Sequence, residues 1–177
     1  MLQRMLSLDE TYTRQMRVAE KPGALRSLAI LFAHSGDSWF WLLGLALLWW
    51  LGSNDWRERC IWMLGGILAC ALIVFTIKLT VRRRRPEGEW GGIYRRTDPH
   101  SFPSGHAARA LMLAILGLGL GPTWFGILLL VWAPLVVLAR VAMGVHFLSD
   151  VLAGALLGVA IGLAVLRIIP QISPLFF

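Results

Sequence analysis

Two histidines and one aspartate carry the chemistry that this sequence suggests first. His106 lies directly after a Pro-Ser-Gly tripeptide, and His146 precedes Asp150 by four residues. An imidazole nitrogen can displace an alcohol from phosphorus to form a phosphohistidine, and a second imidazole can protonate the departing oxygen. At this spacing, Asp150 can share a helical face with His146 and fix the tautomer of its ring. These residues therefore predict a nucleophile, an orienting carboxylate and a general acid.

Cationic side chains at the ends of apolar runs would supply the binding site for a phosphate group. Lys78 and Arg85 follow one apolar run, and Arg140 closes another. Lysine and arginine donate the charge-assisted hydrogen bonds that phosphate oxygens accept. A charged side chain beside the hydrocarbon of a membrane costs free energy and usually has a function. We therefore expect these three side chains to hold the phosphate.

The segment Pro103-Ser104-Gly105-His106 predicts a second kind of phosphate donor. Pro103 fixes a turn, and Ser104 can cap the helix that follows. The free backbone N–H groups at a helix N-terminus favour an anion, and Gly105 lets the ligand approach the backbone closely. Taken alone, the tetrapeptide also fits an ordinary serine N-cap beside an incidental histidine.

The composition places these residues in an integral membrane protein. The chain is 57% hydrophobic and 15% charged, whereas a soluble domain carries about 25% charged residues. The net charge of +7 is concentrated in residues 82–85 and in Arg95 and Arg96, which favours anionic lipid headgroups or a phosphate ligand. We expect Arg82, Arg83 and Arg84 to reach toward headgroups. The expected partners are the lipid bilayer and a lipid phosphate, and the apolar bulk argues against nucleic acid.

The apolar pattern predicts an all-α, polytopic membrane helix bundle. Five segments are rich enough in apolar residues to cross a bilayer, a distance that takes about 20 helical residues; they are residues 38–52, 56–80, 104–120, 123–142 and 147–169. The shorter segment 24–33 brings the prediction to five to six transmembrane helices. The bundle over residues 24–177 would follow an amphipathic, interfacial helix within residues 1–23. Glycines at 154, 158 and 162 predict close packing of the last helix.

Residues 24–52 leave two arrangements open, because His34-Ser35-Gly36-Asp37 interrupts the apolar pattern. They form either a short helix followed by a tilted span or one broken long helix. We expect His34 and Asp37 to serve as interfacial capping or hydrogen-bonding groups rather than in catalysis.

The order of the spans predicts that the chemical residues meet on one membrane face. Lys78 ends one span, and His106 begins the next after a polar loop. The turn at Gly121-Pro122 reverses the chain, so Arg140 ends the following span on the original side. His146 then begins the last span on that side, which brings all the motifs to one site.

The three motifs together resemble the signature of the type 2 phosphatidic acid phosphatase (PAP2) superfamily, which includes vanadium haloperoxidases. The family pattern is Lys-x6-Arg-Pro, then Pro-Ser-Gly-His, then Ser-Arg-x5-His-x3-Asp. The chain matches it at residues 78–86, 103–106 and 140–150, and departs from it where Ala139 replaces the usual serine. That replacement removes one possible hydrogen bond and none of the core residues.

The resemblance implies roles for individual residues. His146 corresponds to the nucleophile, Asp150 to its orienting partner and His106 to the general acid. The phosphate cradle would consist of Lys78, Arg85, Ser104, the Gly105 amide and Arg140. Neither a metal nor another cofactor is implied, because cationic side chains stabilise the phosphoryl charge.

The resemblance also implies a membrane phosphatase that forms a phosphohistidine. The candidate substrates are isoprenoid pyrophosphate, phosphatidylglycerol phosphate and phosphatidic acid. A lipid phosphotransferase remains an alternative, as does a haloperoxidase-like enzyme, which the hydrophobic bulk disfavours. The complete His/His/Asp set argues against a non-catalytic lipid-binding or transport protein.

Two indications disagree on which face of the membrane carries the site. The resemblance points to the extracytoplasmic face of a bacterial-type cytoplasmic membrane. The positive-inside rule points the other way, because residues 82–85, Arg95 and Arg96 lie on the site's side. Some of these arginines could serve the substrate rather than the topology, which weakens the rule here.

Overall fold

The protein is a bundle of α-helices. The computed structural model describes residues 2–94 and 98–172, so Arg95, Arg96 and residues 173–177 lie outside the described residues. Within these ranges the helices are α1 (Leu2–Met16), α2 (Ala24–Ser35), α3 (Ser38–Leu51), α4 (Asn54–Val81), α5 (Glu89–Tyr94), α6 (Gly105–Leu120), α7 (Thr123–Ala142) and α8 (Leu148–Ile172). The predicted all-α membrane fold is confirmed.

Three helices are long and apolar enough to cross a membrane by themselves: α4, α7 and α8. The helices α2 and α3 pass the same test only as a pair, with a bend of 57° between them. Residues 24–52 therefore form a sharply bent helix pair, which is compatible with both predicted arrangements. The break falls at Gly36-Asp37. We had expected His34 and Asp37 to be groups at the membrane interface.

The central helix α6 is shorter, yet it runs the length of the bundle. At its start, His106 shares a cavity with Lys78 from the end of α4. At its end, the carbonyl of Leu120 accepts a hydrogen bond of 2.7 Å from Arg59, near the start of α4. The two helices are therefore antiparallel, and α6, with 16 residues, lies alongside α4 within the bundle.

Glycines on α8 let it pack directly against α6. A β-carbon added at Gly158 would collide with the carbonyl oxygen of Ala108, and one at Gly154 with the carbonyl oxygen of Ser104. At Gly162, it would lie 2.8 Å from the β-carbon of Ile115. The predicted close packing is confirmed, and it fixes the start of α8 beside the start of α6.

The outer surface of the bundle is apolar. Leu51 is 80% exposed, Leu156 73% and Trp50 72%. Side chains of this size, exposed together around the spans, fit a hydrocarbon surrounding rather than water. Buried apolar side chains fill the interior, and Met63, Met112 and Leu113 are among the largest of them.

The N-terminal helix α1 covers part of the interfacial segment expected within residues 1–23. It ends at Met16, and a turn follows it. Its Thr13 hydroxyl accepts a hydrogen bond of 2.9 Å from the backbone N–H of Leu148. This helix is thus docked on the start of α8 rather than forming a loose tail.

Candidate active site

One cavity of about 810 Å³ collects residues from all three motifs. Its walls come from the ends of α4 and α7, the start of α6, and the segments that follow α2, α4 and α7. The predicted site residues that line it are Lys78, Arg85, Gly105, His106, Arg140 and His146.

Two predicted site residues lie behind this lining. The Ser104 hydroxyl accepts a hydrogen bond of 3.4 Å from the backbone N–H of Ala107 and thereby caps α6. The Ser104 N–H in turn donates to the carbonyl of Asp150 at 3.0 Å. Ser104 and Asp150 are both fully buried. The structure therefore places Ser104 as a helix cap that joins α6 to α8, and its contact with phosphate stays a prediction.

The His146 ring lies between an arginine and an aspartate. Its Nε2 is 3.1 Å from Nη1 of Arg85, and its Nδ1 is 3.6 Å from Oδ2 of Asp150. Because the guanidinium can only donate, Nε2 carries the lone pair and Nδ1 carries the hydrogen. The ring nitrogen on the cavity side is therefore the one that is able to attack phosphorus.

His146 is held in its neutral form by its surroundings. Burial, followed by the positive charges of Arg85, Arg140 and Lys78, holds the pKa of His146 well below its ordinary value. The charge of Asp98, which favours the protonated ring, is outweighed by these effects. A neutral ring keeps its lone pair available at neutral pH, as a nucleophile requires.

Asp150 is fixed in place by two hydrogen-bond donors. One oxygen accepts from the backbone N–H of Phe147 at 2.9 Å, and the other accepts from Arg83 at 2.7 Å. The second terminal nitrogen of Arg83 donates to Asp9 of α1, also at 2.7 Å. The interpretation of Arg83 as a headgroup contact was therefore wrong, because its charge pairs with the buried Asp150 and the partly buried Asp9. Arg82 and Arg84 are exposed, as that interpretation expected.

The N-terminal helix takes part in this network, which the sequence did not reveal. Asp9 accepts a hydrogen bond of 3.0 Å from the backbone N–H of Ser149, in the first turn of α8. It also accepts from the Ser149 hydroxyl. The carboxylate of Asp9 thus caps the helix that carries Asp150. Asp9 belongs to no motif, so only its docked position identifies this role.

A carboxylate already lies between two of the predicted phosphate binders. The Asp98 carboxylate accepts a hydrogen bond from the Lys78 ammonium and another from the Arg85 guanidinium at 2.8 Å. Burial works to raise the pKa of Asp98, but Lys78 and Arg85 outweigh it, and the pKa lies below its ordinary value. A phosphate bound by Lys78 and Arg85 would take the place of this carboxylate.

Arg140 offers the cavity an unused donor. It is fully buried, and Nη1 donates to the Tyr94 hydroxyl at 3.1 Å. Its Nε is buried and has no hydrogen-bond partner within the described ranges. A buried N–H without an acceptor costs about 1–3 kcal/mol, and a phosphate oxygen would remove that cost. Among residues 2–94 and 98–172, no three His, Cys, Asp or Glu side chains are grouped as a metal site.

The second histidine has a carboxylate partner of its own. Nε2 of His106 lies 2.7 Å from Oδ1 of Asp37, in the break between α2 and α3. The side chain of Asp37 makes no capping hydrogen bond to α3. The predicted capping role was therefore wrong, whereas the predicted hydrogen-bonding role is confirmed by its contacts with His106 and with His34.

Comparison with known proteins gives a consistent family assignment. The sequence model of the PAP2 superfamily matches residues 59–174. A decaprenylphosphoryl-5-phosphoribose phosphatase of Mycobacterium tuberculosis is 34% identical over 152 residues, covering 84% of this chain and 82% of that protein. An undecaprenyl-diphosphatase of Sulfolobus acidocaldarius is 31% identical over 138 residues, covering 76% of this chain and 66% of that protein.

Two solved structures share the fold. The crystal structure of Aquifex aeolicus LpxE has a TM-score of 0.73 at 25% identity, covering 90% of this chain and 95% of that one. A transmembrane PAP2 type phosphatidylglycerolphosphate phosphatase from Bacillus subtilis has a TM-score of 0.74 at 25% identity, covering 96% and 88%. The resemblance inferred from the three motifs is confirmed.

Proposed function

We propose that this chain, which belongs to the PAP2 superfamily, hydrolyses the phosphate ester or diphosphate of a membrane lipid through a phosphohistidine on His146. One observation carries the proposal. Nε2 of His146 accepts a hydrogen bond from Arg85, and both residues line a cavity that Lys78, Arg140 and His106 also line. A nucleophile, a charge cradle and a proton donor are what phosphoryl transfer requires.

The first step transfers the phosphoryl group to the enzyme. Nε2 of His146 attacks phosphorus, and the bond from phosphorus to the lipid oxygen breaks with its electron pair on that oxygen. His106 gives its proton to this oxygen, which leaves as the lipid alcohol or, from a diphosphate, as the lipid monophosphate. Lys78, Arg85 and Arg140 stabilise the charge on the other phosphoryl oxygens throughout.

The second step returns the enzyme to its starting state. A water molecule attacks the phosphohistidine and gives a proton to His106. The bond from phosphorus to Nε2 breaks, the electron pair returns to the His146 ring, and inorganic phosphate leaves. Asp150, with its charge buried beside Nδ1, stabilises the positive charge on the ring in the phosphohistidine. The same chemistry with a lipid hydroxyl in place of water gives the phosphotransferase alternative.

The substrate class follows from the cavity and from the relatives. The cavity lies at one end of the membrane-crossing helices, so a lipid can remain in the bilayer and present its headgroup. The two relatives are named for a decaprenylphosphoryl phosphoribose and for an undecaprenyl diphosphate, both of which carry a polyprenyl chain. We favour an isoprenoid phosphate or diphosphate, followed by phosphatidylglycerol phosphate and phosphatidic acid.

The membrane placement of the site and of α1 completes the proposal. We place the cavity on the extracytoplasmic face of the membrane, so that the enzyme releases inorganic phosphate outside the cytoplasm. We assign α1 to the membrane surface as an interfacial segment within residues 1–23, ahead of the PAP2 domain over residues 24–177. Exposed apolar side chains on α1, Leu6, Leu8 and Tyr12, support this placement.

Release of phosphate from defined lipids tests the proposed function. The purified protein in detergent is assayed with undecaprenyl pyrophosphate, phosphatidylglycerol phosphate, phosphatidic acid and a soluble monoester, with and without EDTA. We expect release from at least one lipid at a rate that EDTA leaves unchanged, because side chains supply the positive charge. Release that requires a divalent metal, or no release from any lipid, would contradict the proposal.

A further inference from the structure

The break between α2 and α3 is bound tightly to the helix that carries His106. Arg109, one turn along α6, donates through Nε to the Gly36 carbonyl at 2.9 Å and through Nη1 to the Ser38 hydroxyl at 2.7 Å. A β-carbon at Gly36 would lie 2.9 Å from Val136 and 3.3 Å from the His106 ring. The break is therefore a fixed wall of the cavity rather than a loose connection.

Asp37 occupies the centre of this break with both carboxylate oxygens engaged. Oδ1 lies 2.7 Å from Nε2 of His106. Oδ2 lies 2.9 Å from Nδ1 of His34 and accepts from the Trp39 indole at 3.3 Å. The two further donors hold the carboxylate in one orientation toward His106.

This arrangement decides which nitrogen of His106 can exchange a proton with the substrate. An ionised carboxylate only accepts hydrogen bonds, so Nε2 of His106 carries a hydrogen. The described residues give His106 no other hydrogen-bond partner, and its ring lines the cavity. Nδ1 is therefore the nitrogen left for the substrate.

The carboxylate also supplies the counter-charge for a protonated His106. Burial of the ring opposes a proton on it, and so do the charges of Arg140 and Arg109, which line the same cavity. Asp37 is the anionic group in hydrogen-bond contact with His106. A neutral ring with its hydrogen on Nε2 could accept a proton at Nδ1 but could not donate one from there.

We infer that Asp37 is a positioning residue that makes His106 a proton donor to the leaving oxygen. This inference rests on the proposed function. In the first step the Nδ1 proton moves to the lipid oxygen while the hydrogen on Nε2 stays on the ring, bonded to Asp37. In the second step Nδ1 takes a proton from the attacking water, which restores the protonated ring. The break in the α2–α3 span therefore belongs to the catalytic apparatus.

Two substrates that differ in leaving group test this role in the Asp37→Asn variant. Dodecyl phosphate must have its alkoxide protonated, whereas p-nitrophenyl phosphate releases a stable phenolate without help. A general acid contributes about 10²–10⁴-fold. We expect kcat for dodecyl phosphate to fall at least about 100-fold and kcat for the nitrophenyl ester to change less than about fivefold. Asparagine still accepts from Nε2, so the tautomer and the base role of His106 are kept.

Three further variants make the outcome decisive. His106→Ala removes the proton donor of the first step and the base of the second, so it should lower kcat on both substrates and lower it further for dodecyl phosphate. Asp37→Glu should recover part of the dodecyl phosphate activity that Asp37→Asn loses. Asp55→Asn makes the same chemical change at an exposed position at the start of α4 and should alter neither rate. An equal loss on both substrates, or no loss on either, would overturn the inference while leaving the wild-type activity and the proposed function intact. Failure of the wild type on both substrates would instead count against the proposed function.

Discussion

The His146→Ala variant is expected to lose at least about 10⁴-fold in kcat on every substrate that the wild type hydrolyses. Among the described histidines that line the cavity, His146 is the one whose Nε2 lies within hydrogen-bond distance of Arg85. His106 is turned toward Asp37 through Nε2, and its proposed step is proton transfer. The measurement is phosphate release by purified wild-type and variant protein at saturating substrate.

The variant should keep its fold and its affinity for the substrate. The ring makes few hydrogen bonds, and Lys78, Arg85 and Arg140 remain in the cavity. A thermal unfolding curve close to that of the wild type, together with retained competition by inorganic phosphate for lipid binding, would show this. Activity within tenfold of the wild type in a folded variant would mean that another group attacks phosphorus.

The second large effect is expected from Asp150→Asn, with a fall in kcat of about 10²–10³-fold and little change in KM. The carboxylate lies behind the nucleophile and outside the cavity lining, so it does not bind substrate directly. Its charge is needed when the His146 ring becomes positive in the phosphohistidine. Steady-state kinetics on the preferred lipid separates the two parameters.

A matched control distinguishes this effect from a general disturbance. Asp55→Asn makes the same replacement at an exposed site at the other end of the bundle and should leave kcat unchanged. The neutral side chain at 150 also leaves Arg83 with Asp9 as its one ionised partner, so some loss of thermal stability is expected. A kcat close to the wild-type value would contradict the orienting role of Asp150.

The sequence predicted the parts of this protein that depend on local pattern and chain order. Apolar runs gave the span positions to within a few residues, because hydrocarbon requires long uninterrupted apolar helices. The alternation of spans and turns brought Lys78, His106 and His146 to one end of the bundle. The glycine spacing on α8 predicted its close packing, which the contact between Gly158 and Ala108 confirms.

The supporting carboxylates could not be predicted in the same way. Asp37 and His106 are 69 residues apart, and Arg83 and Asp9 are 74 residues apart. Neither pair has a fixed spacing, since each contact forms only when separate helices pack together. The sequence around Asp98 has no apolar periodicity, so nothing in the pattern linked it to Lys78 and Arg85.

The most direct test of the account is to stop the reaction during turnover and look for phosphate bound to the protein. The account predicts a phosphoryl group on His146 that is released by acid and survives alkali, as expected of a bond from phosphorus to nitrogen. Peptide mapping would place the phosphoryl group on the peptide that contains His146, and the His146→Ala variant would carry no bound phosphate. Two results would contradict the proposed mechanism. One is phosphate on another residue, and the other is no covalent intermediate under conditions that slow hydrolysis of a phosphohistidine.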